Sequence, residues 1–299
     1  MIYKSRTEPA ELTILKALKG RMNLNSKHKQ RYLNIKKGYE GELLFDSFTV
    51  KLQCECLILN DLLLEANSTT FQIDSLIITQ KKMYFYDVKN FEGDYYYESD
   101  KLYKKPELEF INPLHQLSRG ESLLRQLLLS HGFNFPVDSS LVFINQRFTL
   151  YQAPLDKPII LPTQVKNNLN HLNIQPSKLT NKHKKLADQL ISLHKNSPPK
   201  QIPTYDFEQL RKGMLCPKCH SLSGTAGKQV KVCNKCQHEE PLDEAILRSI
   251  KEYTILFPNK KITTNTIHQW CQIVPKRRIR NTLLRNFTKA GNHRWTYFE

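Results

Sequence analysis

Apolar positions recur along the chain with two periods, three to four residues in some stretches and two in others, and the switches between them outline the elements. Leu12, Leu15 and Leu18 predict a basic helix over residues 9–19, followed by a polar stretch over 23–30. A second helical run is expected over residues 37–48. Strand-like runs follow at 56–64, 71–79 and 82–89, with further β-prone sequence over 94–103. Asn112-Pro113 supplies an N-cap and a proline at the first helical position for a helix carrying Leu114, Leu117, Leu124, Leu127 and Leu128, which Gly132 ends. Strands are expected at 140–145 and 148–155, before Pro154, Pro158 and Pro162 break the pattern. This order predicts an α/β layer with a mixed sheet flanked by helices. Helical, Lys-rich and Asn-rich sequence over 163–196 then ends at Ser197-Pro198-Pro199-Lys200, read as an extended linker.

Beyond the linker the period is helical again. A helix over 241–257 is followed by a Thr-capped one over 262–271. A third, after Pro275, turns Ile279, Leu283 and Leu284 inward and exposes Lys276, Arg277, Arg278, Arg280 and Arg285. The tail over 287–298, with Gly291-Asn292 at its centre, fits a β-hairpin. Three helices and a hairpin resemble a winged helix-turn-helix-like module whose basic helix enters the DNA major groove. The alternative is a helical cap whose basic face is merely solvated.

Charge sharpens this picture. The 299 residues carry a formal +17, and 39% hydrophobic content excludes general disorder. Residues 211–299 hold 17 Lys and Arg against 6 Asp and Glu, so the positive field is concentrated there. Such a field selects polyanions, with DNA the leading partner and RNA the second, against the plainer reading of a solubilising surface. No window supplies the roughly 18–20 apolar residues of a membrane span, and the N-terminus lacks a signal-peptide pattern. A cytoplasmic protein with no membrane partner is therefore expected.

Four of the seven cysteines form two C-x-x-C pairs, Cys216/Cys219 and Cys233/Cys236, with thirteen residues between them. That spacing is a zinc ribbon, a closed tetrahedral thiolate site in which Zn²⁺ is structural. His220 and His238 flank it as surface residues. Lys218, Lys228, Lys231 and Lys235 are either phosphate contacts or solubilising charges. Cys54, Cys56 and Cys271 read as small buried residues.

The strands at 71–79 and 82–89 read as a hairpin carrying Asp74, Asp87 and Lys89. Side chains alternate along a strand, so Asp87 and Lys89 share a face, and an antiparallel neighbour brings Asp74 close. Two carboxylates on an apolar hairpin repel unless a cation lies between them, and hard oxygen ligands suit Mg²⁺ or Mn²⁺. With a lysine at hand to stabilise negative charge, the chemistry implied is phosphodiester hydrolysis. The alternative is a solvated sheet face with a surface ion pair.

Four ordered motifs carry a resemblance: Gly38-Tyr39-Glu40-Gly41-Glu42, Ile73-Asp74, Asp87-Val88-Lys89-Asn90 and Asn112-Pro113-Leu114-His115-Gln116. Together they resemble the nuclease-related domain, NERD, over about residues 37–155. The resemblance implies a restriction-endonuclease-like core of the PD-(D/E)xK superfamily. It implies that Asp74, Asp87 and the Val88 carbonyl hold the metal and that Lys89 acts on water or phosphate. Glu42 would orient the water, directly or through a second metal. Gln116 would help shape the site, or else only cap its helix, and Gly120 would admit close approach of backbone or substrate. Where the family usually has Glu, this chain has Asp87, whose carboxylate is withdrawn by one C–C bond, about 1.5 Å.

The expected organisation is an N-terminal arm (1–36), the nuclease-like domain (37–155), a helical segment and linker (156–210), the zinc ribbon (211–240) and the winged-helix-like module (241–299). The expected activity is metal-dependent DNA cleavage. The competing expectations are a non-catalytic DNA-binding protein on a nuclease-like scaffold and an RNA-processing factor.

Overall fold

The computed structural model describes residues 1–196, 198–292 and 296–299, so Ser197 of the expected linker and residues 293–295 of the expected hairpin lie outside the described residues. The chain divides into two compact units, one of residues 1–9 and 33–198, the other of 10–32 and 199–299. The expected arm thus divides between the two, and ribbon and C-terminal helices fall in one unit. Among the described residues no helix is long and apolar enough to cross a membrane.

The first unit is built on a six-stranded mixed sheet of order β1-β2-β3-β4-β8-β10. Its strands are β1 (Ile2–Lys4), β2 (Leu57–Ala66), β3 (Thr69–Ile78), β4 (Met83–Lys89), β8 (Val137–Phe143) and β10 (Ile159–Ile160). β2, β3 and β4 form an antiparallel meander, and β1, β8 and β10 join in parallel. A second sheet, β7-β6-β5-β9, comprises β5 (Gly93–Glu98), β6 (Lys101–Lys104), β7 (Leu108–Phe110) and β9 (Phe148–Tyr151). Alternation sends Phe85, Leu76 and Leu141 to one face, under α3 (Pro113–Ser130) and α5 (Asn181–Ser192). It sends Tyr86, Val88, Ile77 and Val142 to the other, where Phe45 of α2 (Ser26–Thr49) and Leu169 of α4 (Val165–Ile174) cover them. α3 begins as expected, with Asn112 Oδ1 accepting from Leu114 N at 3.0 Å.

Two details differ from the sequence expectation and both position the site. α2 is one helix of 24 residues rather than a short one over 37–48, and it runs through the polar stretch and both glycines. Gly41 is required by packing: a Cβ there would lie 2.5 Å from Asn90 Cβ, so only glycine lets α2 settle on the end of β4. The pleat of the β2/β3 pair also changes phase. Leu57 and Leu59 share the α3 face with Leu62 and Leu64, and Phe71 and Ile73 share it with Leu76 and Ile78. The shift falls at Asp61, in the left-handed region at φ 55°, and at Asp74 across from it.

In the second unit α1 (Ala10–Arg21) packs against α6 (Leu242–Leu256), and α7 (Thr264–Cys271) and α8 (Lys276–Asn286) complete the helical core around Trp270. Arg21, fully buried, lies 3.7 Å over the Trp270 ring. It donates to both Glu252 carboxylate oxygens and to the carbonyls of Arg211 and Gly213. β11 (Gly224–Ala226), β12 (Val230–Cys233) and β13 (Glu239–Pro241) form a small antiparallel sheet at the cysteines. β14 (Lys289–Ala290) pairs antiparallel with β15 (Tyr297–Phe298), and Ile262 bridges to Phe298. Leu284, expected inside, is 47% exposed.

Candidate active site and metal centre

The acid site forms where the β3/β4 pair, α2 and the first turn of α3 converge. Asp74 is 9% exposed and Asp87 5%. Asp74 Oδ2 accepts from Val88 N at 2.8 Å, which fixes the two strands at this level. Lys89, two residues beyond Asp87 on the same face, donates from Nζ to Asp87 Oδ1 at 2.6 Å, and Gln116 Oε1 lies 3.5 Å from the same nitrogen. Asp74, Asp87, Lys89, the Val88 backbone and Gln116 are therefore gathered in one place. Gly120 plays another part than expected: a Cβ there would meet the Phe85 ring at 3.0 Å, so it serves helix-on-sheet packing.

Glu42 reaches the site from α2, and it arrives already paired. Arg6, beyond the end of β1, donates from Nη1 to Glu42 Oε2 at 2.7 Å and from Nη2 to the Asp74 carbonyl at 2.6 Å. Its Nε and Nη2 also grip both oxygens of Asp46, at 2.8 and 3.1 Å. Sequence reasoning missed both residues. Asp46 lies four residues after Glu42 on the same helix, a legible spacing, whereas nothing local ties Arg6 to a carboxylate 36 residues away.

The electrostatics show a shortage of positive charge. Burial, with the neighbouring Asp87 and Glu42 charges, pushes the Asp74 carboxyl well above the usual range, against the pull of Lys89. Burial also raises Glu42, opposed by Arg6 and reinforced by Asp61 and Asp46. Burial alone would lower the Lys89 ammonium, but Asp87 and Asp74 outweigh it and hold the pKa above its ordinary value. Asp87 Oδ2 is buried and accepts no hydrogen bond. An orphaned carboxylate oxygen at that depth costs free energy unless a cation completes it, so the donor set fits a hard divalent ion.

The second centre is the cysteine quartet, whose sulfurs all lie within 4.8 Å of one another; among the described residues it is the one group of three or more His, Cys, Asp or Glu gathered this closely. Cys216 and Cys236 sulfurs are 3.6 Å apart and those of Cys219 and Cys233 3.5 Å. Four thiolates at about 2.3 Å from one tetrahedral ion would be separated by about 3.8 Å. The two C-x-x-C turns are copies of each other. His220 N donates to Cys216 O and Gln237 N to Cys233 O, both at 2.9 Å, while Cys216 N and Cys233 N return to Ser221 O and His238 O. The residue after each pair, His220 and Gln237, is left-handed at φ 55° and 54°. All four thiols are free of disulfides.

On α8, Lys276, Arg277, Arg280 and Arg285 are exposed. Arg278 is not available as expected: it forms a bidentate pair with Asp243 of α6 at 2.9 and 2.8 Å, joined by the Thr282 hydroxyl. On the ribbon Lys218, Lys228 and Lys235 are exposed, while Lys231 is buried at 2% and so is no phosphate contact.

Residues 37–144 match the family model of the nuclease-related domain, a span that contains Glu42, Asp74, Asp87, Lys89 and Gln116 and excludes Arg6. No curated protein and no solved structure matches the chain.

Proposed function

We propose that this protein is a metal-dependent DNA nuclease that hydrolyses phosphodiester bonds, with the acid site as its catalytic centre and the basic C-terminal unit as its hold on DNA. The observation that carries this reading is the buried, unpartnered Oδ2 of Asp87 beside the charge-starved Asp74, within a span that matches the nuclease-related domain. Asp74, Asp87 and the Val88 carbonyl would hold Mg²⁺ or Mn²⁺. When bound, such an ion polarises a phosphate oxygen and lowers the pKa of a water.

The chain's own groups do the rest. Lys89, anchored by Asp87 and flanked by Gln116, places a permanent positive charge where negative charge grows on the phosphate. Glu42 has Oε2 engaged by Arg6, which leaves Oε1 to orient the attacking water, and its raised pKa suits it to accept a proton. The cysteine quartet holds Zn²⁺ in a closed structural site. Lys276, Arg277, Arg280 and Arg285 of α8, with Lys218, Lys228 and Lys235 of the ribbon, contact phosphates.

The test incubates the zinc-loaded full chain with supercoiled, linear and single-stranded DNA, and with RNA, in Mg²⁺, Mn²⁺ or EDTA. Cutting of DNA that requires the divalent ion is expected. Salt-sensitive binding without cutting in every condition would replace the nuclease with a DNA-binding scaffold, and cutting of RNA alone would make it an RNA-processing enzyme.

A further inference from the structure

We infer that Arg6 is a positioning residue of the acid site, a built-in cation that holds Glu42 away from metal binding and so makes this a centre for one divalent ion rather than two. The inference rests on the nuclease reading above and goes beyond it, because Arg6 lies outside the matched residues 37–144.

Arg6 is the most thoroughly engaged cation at the site. Its side chain is 2% exposed, and its three nitrogens reach Glu42, both oxygens of Asp46 and the Asp74 carbonyl. A guanidinium is planar, stays charged at any pH the protein meets and presents its donors in a fixed fork. It therefore ties together α2, which supplies Glu42 and Asp46, and β3, which supplies Asp74, at a defined separation. Burial works against the charge, yet the Asp46 hydrogen bonds and the Glu42, Asp46 and Asp74 charges raise the Arg6 pKa above its ordinary value.

The charge count gives the stoichiometry. Five carboxylates, Glu42, Asp46, Asp61, Asp74 and Asp87, face three cations, Lys4, Arg6 and Lys89. The deficit is two negative charges, which one divalent ion cancels. A second ion would need Glu42 as a ligand, but Arg6 occupies Oε2 at 2.7 Å, and its positive charge against the same carboxylate repels a further cation from Oε1 while leaving that oxygen open to a neutral water. The buried orphaned oxygen belongs to Asp87, and both oxygens of Asp46 are taken by Arg6.

The experiment counts Mn²⁺ bound to the zinc-loaded full chain by electron paramagnetic resonance of the free ion, which reads occupancy independently of cleavage. The wild type is expected to bind one equivalent that Asp74→Asn abolishes. Arg6→Lys, which keeps the charge, is expected to stay at one, and Arg6→Gln to gain a second equivalent that Glu42→Gln removes again. A merely structural arginine would lower thermal stability without changing the count. Two equivalents at the wild-type acid site, or one in folded Arg6→Gln, would overturn the inference while leaving the nuclease reading intact. Should Arg6→Gln fail to fold, the wild-type count still decides. No Mn²⁺ lost on Asp74→Asn would overturn the nuclease site itself and the inference with it.

Discussion

The two oxygens of Asp87 have different surroundings, and the difference supports the proposed metal site over an ordinary ion pair. Oδ1 takes the Lys89 ammonium at 2.6 Å, while Oδ2 is buried with no donor. An ion pair that existed only for stability would satisfy both, because a buried acceptor left alone costs about 1–3 kcal/mol. Removing Asp74 as Asp74→Ala, or the ammonium as Lys89→Ala, is expected to lower cleavage by about 10²–10³-fold, the usual loss for one stabilising group at a reacting centre. DNA binding, measured by filter retention, should remain. Normal cutting by both variants would show that the site is assigned to the wrong residues. These residues were legible in the sequence because a two-residue period and one tight hairpin bring them together. Arg6 was not, since its partners come from α2 and β3 and no local rule links a residue near the N-terminus to them.

At the level of elements, the site owes its shape to an irregularity that a hydrophobic pattern conceals. The β2/β3 pleat shifts phase at Asp61 and Asp74, so that Ile73 and Leu76, three positions apart, lie in the same core with Asp74 between them. A β-branched residue is strained in the left-handed region, so Asp61→Val is expected to lower stability by about 1–2 kcal/mol in urea unfolding, and Asp61→Gly by less. Equal stability of the two would show that the conformation of Asp61 does not matter. The runs of β2, β3 and β4 were readable to within about two residues, but apolar residues on both sides of Asp74 do not reveal a phase change. On α8 the sequence shows five cations and not their partners. Arg277→Ala and Arg280→Ala should each reduce the salt dependence of DNA binding by about one unit of slope. Arg278→Ala should instead loosen α8 from Asp243 of α6 and leave that slope unchanged. A slope loss confined to Arg278→Ala would reverse this assignment.

For the whole molecule, the proposed function divides between a unit that carries the acid site and a unit that carries the cysteines and the basic helix. The cysteine spacing and the helix order of the second unit were plain in the sequence, whereas the inclusion of α1 was not. Its signal is Arg21, buried over Trp270 and paired with Glu252, contacts that join residues more than 200 positions apart. Breaking such a buried pair typically costs about 3–5 kcal/mol, so Arg21→Ala is expected to lower the thermal midpoint strongly, and an unchanged midpoint would remove α1 from that core. Chelation of zinc should unfold the ribbon, with loss of its amide-exchange protection, because this short segment has little apolar surface of its own. The measurement that tests the central claim most directly is the rate of plasmid cleavage in Mg²⁺ or Mn²⁺ by the wild type and by Asp87→Ala, with DNA binding followed in the same preparations. The account predicts metal-dependent cutting by the wild type and none by a variant that still binds. Equal rates for the two proteins, or binding without cutting by the wild type, would contradict it.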